Sequence, residues 1–148
     1  MNNSFQLPNW LLAMAAAAQI FTAVFYPYVR RNVLNWYNDI RKLSPLNQAI
    51  AKTYGWYIQG LNFLFGLFCL LLSNELQNGS GLALAFSGLL ATYWTGRVAI
   101  QFAGYPMHTI AQQPLFQLGK ILMNTLIIFL ALVFLALFTG NLVIALNS

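Results

Sequence analysis

The chain has 148 residues, 59% of them hydrophobic and only 6% charged, with a formal net charge of +5. A water-facing surface carries roughly a quarter charged residues, so a soluble fold is excluded and hydrocarbon is the expected solvent. Two acidic residues in the whole chain leave chemistry built on paired carboxylates without material.

A membrane span needs about 20 apolar residues to cross a hydrocarbon layer roughly 30 Å thick. The first such run is predicted over residues 7–28. Its start, "MNNSFQLPNW", has no Lys or Arg, and Arg30 and Arg31 follow the run. A cleavable signal has the reverse order, so a retained helix is expected.

Residues 30–43 are predicted to form an interfacial amphipathic helix. Val33, Trp36, Tyr37, Ile40 and Leu43 fall on one side at helical spacing, and Asn35, Asn38, Asp39, Arg41 and Lys42 on the other. Arg30, Arg31, Arg41, Lys42 and Lys52 are expected to face headgroups, each favouring anionic lipid by roughly 1 kcal/mol near the surface. Ser44 and Pro45 then read as the cap and first turn of a second helix, over 46–73. Along it, Gly55, Gln59, Asn62, Gly66, Cys69 and Ser73 recur every three or four residues. Cys69 is the chain's single cysteine and reads as a packed small residue.

The turn "NELQNGSG" leads to a third helix over 82–103, whose small residues are Ala85, Gly88, Thr92, Gly96 and Ala99. Helices in lipid associate by close approach of small residues, so the two stripes are expected to face each other or other helices. A fourth helix, 117–146, is apolar nearly all round and is expected to be peripheral and lipid-facing, with Asn124 turned inward. Basic residues gather between the first two helices and near the start of the fourth. The positive-inside rule then puts both termini outside and the loops between helices 1–2 and 3–4 in the cytoplasm. The expected fold is a single all-α membrane domain over 1–148, a polytopic four-helix bundle with the short interfacial helix between helices 1 and 2.

Arg97 interrupts the third run in "ATYWTGRVAIQF". Three placements are open to it: snorkelling to headgroups, pairing with Asp39, or lining an inward-facing cavity that meets an anionic ligand. Tyr93 and Gln101 share its face at i−4 and i+4. With Gln59 and Asn62 from the second helix, Arg97, Tyr93 and Gln101 form the candidate ligand-binding set. His108 stands alone in "GYPMHTIAQQP", too few ligands for zinc. No metal, cofactor, catalytic set or nucleic-acid partner is expected.

The segments "RKLSPLNQAIAKTYGWYI" and "TYWTGRVAIQF" resemble a group of small bacterial integral membrane proteins of unassigned function. The likeness rests on Leu43, Ser44, Pro45 and Leu46, and on the Trp-x-x-Arg-x-x-x-Gln pattern at Trp94, Arg97 and Gln101. It implies a four-helix inner-membrane protein and no activity. The expected function is binding of a lipid, another amphipathic anionic molecule or a partner helix at the cytoplasmic half. A subunit of an oligomeric channel or transporter, which would be a homo-oligomer, and a small enzyme acting on a lipid are the alternatives.

Overall fold

The computed structural model describes residues 7–32, 36–104 and 114–147. They form α1 (Asn9–Asn32), α2 (Trp36–Ile40), α3 (Pro45–Leu71), a 3-10 turn (Glu75–Gln77), α4 (Gly81–Ala103) and α5 (Pro114–Leu146), with no strand among them. Three helices, α1, α3 and α5, are long and apolar enough to cross a membrane. The fourth expected span, α4, is 23 residues long, carries Arg97 and Gln101, and is not among these three.

Local sequence explains the element ends. Pro45 occupies the first turn of α3, and the Ser44 hydroxyl accepts a hydrogen bond from the Asn47 N–H at 3.4 Å. Ser80 caps α4 in the same way, accepting from the Ala83 N–H at 3.2 Å. Gly79 before it has φ +71°, in the left-handed region that L side chains rarely adopt. Pro27 does not end α1, which continues through Arg30 and Arg31 to Asn32. The interfacial helix expected over 30–43 is therefore confined to the five residues of α2. Of its expected apolar side, Ile40 is buried, Trp36 is half-buried, and Tyr37 and Leu43 are exposed; Val33 lies outside the described residues.

The helices associate as two antiparallel pairs, α1 with α3 and α4 with α5. In the first pair, Leu12, Ala16, Gln19, Ala23 and Arg30 of α1 are buried at spacings of three, four and seven. They oppose the α3 stripe: a Cβ on Gly66 would lie 2.8 Å from the Ala16 carbonyl oxygen and 3.2 Å from the Gln19 Cβ. Small residues thus bring these two backbones together, as close packing in lipid requires. The α3 stripe faces α1 and not the small residues of α4. On α4 the expected stripe divides. Gly88 packs against the Phe138 ring of α5, whereas Ala85, Thr92 and Ala99 are exposed.

Between α3 and α4 the gap is filled by rings. Phe65 meets Phe86 and Tyr93 edge-on, with centroids 6.1 and 5.5 Å apart, and Phe68 meets Phe86 at 5.9 Å. The fourth expected helix is not peripheral. Ile127, Leu130, Phe134, Leu137 and Asn141 of α5 are buried and supply much of the core with Leu90, Ala91 and Trp94 of α4. Its all-apolar composition carried no sign of which side packs and which meets lipid.

Side-chain amides tie the pairs. The Trp94 indole N–H donates to Gln19 Oε1 at 3.2 Å, and Gln19 Nε2 donates to Cys69 Sγ at 3.9 Å. Asn141, fully buried, donates through Nδ2 to the Leu76 carbonyl at 2.8 Å and the Ser87 hydroxyl at 3.2 Å, and accepts from the Gly79 N–H at 3.1 Å. Gln77 Nε2 donates to Asn9 Oδ1 at 2.9 Å. The turn between α3 and α4 is therefore bonded to both α1 and α5.

Candidate functional site

A cleft of about 220 Å³ lies in the half of the bundle that carries the basic residues. One wall comes from α1, α2 and α3, through Thr22, Tyr26, Arg30, Trp36, Gly55, Gln59 and Asn62. Arg97 of α4 and Met123 of α5 face it from the other pair. Tyr54 and Ile58, both exposed, belong to its rim.

Arg30 is the most constrained member. It continues the buried stripe of α1, seven residues after Ala23, and only 5% of its surface is exposed. The Trp36 ring covers its guanidinium at 3.6 Å, with Tyr26 at 5.8 Å. A desolvated cation–π contact of this kind contributes about 2 kcal/mol. Gly55 leaves the room, because a Cβ there would collide with the guanidinium. Arg30 Nε is buried and has no hydrogen-bond partner among the described residues, and Gln59 Nε2 is in the same condition. A buried donor without an acceptor costs about 1–3 kcal/mol.

Charge in the cleft is unbalanced. Arginine stays protonated in proteins, and both Arg30 and Arg97 line the cleft. The chain's two acids are elsewhere: Glu75 is on the 3-10 turn at the opposite end, and Asp39 accepts from Lys42 Nζ at 3.0 Å on the surface. The Arg97–Asp39 pair is therefore not formed. Asp39 reaches a lysine three residues along, and Arg97 has no ion pair among the described residues.

The residues singled out in the sequence separate into three groups. Arg97, Gln59 and Asn62 line the cleft. Tyr93 stands behind it, its hydroxyl donating to Asn62 Oδ1 at 3.0 Å and so fixing that amide. Gln101 is turned away, donating to Asn124 Oδ1 at 2.9 Å in the α4–α5 seam. Of the basic residues assigned to headgroups, Arg31, Arg41, Lys42 and Lys52 are exposed, whereas Arg30 is withdrawn into the bundle. Its signal was legible: the buried spacing of α1 reaches Arg30 once the helix is carried past Pro27. His108 lies outside the described residues.

No family model, curated protein or solved structure matches this chain. Assignment of the cleft therefore rests on its own chemistry: two cations and two buried amides, a covering indole, and no acid.

Proposed function

We propose that the chain is a four-span inner-membrane protein that binds an amphipathic anionic molecule, a phospholipid of the inner leaflet, through the headgroup in this cleft. One observation carries the reading. Two arginines line a single cleft with no carboxylate beside them, and two of the cleft's buried N–H donors have no acceptor. An oxyanion meets both needs through charge-assisted hydrogen bonds, which are roughly twice as strong as neutral ones.

In this reading α4 is the fourth span. Its length equals that of α1 to within a residue, and its burial against α5 gives Arg97 a polar cleft in place of lipid. The exposed Arg31, Arg41, Lys42 and Lys52 then hold the cleft end at the cytoplasmic face. Reporter domains fused at each end of the chain should both be found in the periplasm; a cytoplasmic signal from both would reverse the orientation.

The binding reading is tested by native mass spectrometry in mild detergent. Wild-type protein should retain anionic phospholipid, and Arg97→Gln should lower that retention about tenfold, the effect of losing one hydrogen bond to a charged group. Equal retention by the two proteins would leave Arg97 as a snorkelling residue and overturn the reading.

A further inference from the structure

We infer that the cleft selects a phosphomonoester, the dianionic kind of headgroup, over the singly charged phosphodiester headgroups. This inference rests on the reading of the cleft as an anion site and deepens it.

The presentation of Arg30 limits what can bind. With Trp36 over its face at 3.6 Å and the α3 backbone close by at Gly55, the guanidinium offers its edge. An edge presents N–H groups in a flat fork suited to two oxygens on one atom. Gln59 adds a neutral donor, and Arg97 brings a second cation from the opposite wall. Two other polar groups at the cleft are already engaged. The Thr22 hydroxyl donates to the Ala18 carbonyl at 2.7 Å, and Asn62 Oδ1 accepts from Tyr93.

The Arg30 fork, the Gln59 amide and Arg97, with two positive charges between them, suit three terminal oxygens and a charge of about −1.5 to −2 at neutral pH, which is what a phosphomonoester carries. A phosphodiester has one charge and two free oxygens, so one arginine stays uncompensated. A choline headgroup would bring a further cation beside two others. Size agrees. Sites for whole drug-sized ligands are roughly 300–1,000 Å³, and this cleft of about 220 Å³ holds a headgroup alone. The rest of a lipid would lie outward along Ile58 and Tyr54 on the rim. The same phosphomonoester chemistry occurs in a lipid and in a water-soluble ester.

The test offers the full-length protein equimolar phosphatidic acid, phosphatidylglycerol and phosphatidylcholine with identical chains, read by native mass spectrometry. Phosphatidic acid should be retained about tenfold over phosphatidylglycerol, since the second charge gains more from two cations than its added desolvation costs. Equal retention of the two anionic lipids, or a preference for phosphatidylglycerol, would overturn the monoester inference and leave the anionic-lipid reading standing. Retention of none of the three would overturn that reading as well.

Glycerol 3-phosphate added at the same concentration identifies the source. Competition that displaces phosphatidic acid assigns the site to a soluble ester, and persistence of the lipid adduct assigns it to the lipid; both keep the monoester. Arg30→Lys keeps the charge and loses the fork, and should bring the preference down several-fold. Should Arg30→Lys fold poorly, Arg97→Gln, at a half-buried position, serves alone. A preference that survives Arg97→Gln in protein of unchanged thermal stability would place the selecting charge elsewhere and end the proposal.

Discussion

Gly66→Ala should destabilise the protein by about 1–3 kcal/mol, the usual cost of overpacking a close contact. The new Cβ would sit 2.7 Å from the Ile20 side chain and 2.8 Å from the Ala16 carbonyl oxygen. A side chain can rotate away, but the carbonyl belongs to the backbone of α1, so the two helices have to part. Alanine is otherwise the better helix residue by about 0.8–1 kcal/mol, and this makes the sign informative. Gly60, on the exposed side of the same helix, has nothing within 4 Å of an added Cβ. There the propensity gain stands alone, and Gly60→Ala should be neutral or stabilising. Unfolding both variants in a denaturing-detergent titration separates the two terms. Equal behaviour of the pair would mean that α1 and α3 do not meet at Gly66.

Asn141→Leu should cost about as much by a different route. Leucine nearly conserves volume, so little is lost in packing, but the Leu76 carbonyl and the Gly79 N–H both lose their Asn141 partner. Each buried polar group left unpaired costs about 1–3 kcal/mol, although interhelical hydrogen bonds measured in membrane proteins average only about 0.6 kcal/mol. The turn lies at an end of the bundle where water can replace part of what is lost, so the expected total is about 1–3 kcal/mol. Hydrogen exchange should localise the effect: residues 76–83 should exchange faster in the variant, while the Gly66 region of α3 keeps its protection. Uniformly faster exchange would indicate a general loss of packing.

Much of this architecture was legible in the residues. Apolar run lengths gave long helices, and Ser44 and Pro45 marked where α3 begins. The spacing of Gly55, Gln59, Asn62, Gly66 and Cys69 showed that α3 has a packing face. Which helix receives that face was not legible, because lipid is as apolar as a leucine surface and hydrophobic patterning does not distinguish a neighbour from solvent. For the same reason α5 read as peripheral, although Leu130, Phe134 and Leu137 are buried. Arg30 was misplaced by a different assumption, that the first helix stops at residue 28 and a separate interfacial helix starts at residue 30. In a membrane a proline is tolerated within a helix, since neighbouring groups re-satisfy the freed backbone. Once α1 continues, the same three-and-four spacing that buries Leu12 and Gln19 buries Arg30. The cleft follows from that extension, since it needs both Arg30 and the Trp36 ring that folds back over it.

The Asn141 contacts also set an order of assembly. Ribosomal synthesis makes residues 76–83 some sixty positions before the asparagine that completes their bonding. Each hairpin, α1 with α3 and α4 with α5, can form from neighbouring segments as it emerges. The bend joining them has to wait for α5, so a later step in biogenesis fastens a piece of chain made much earlier.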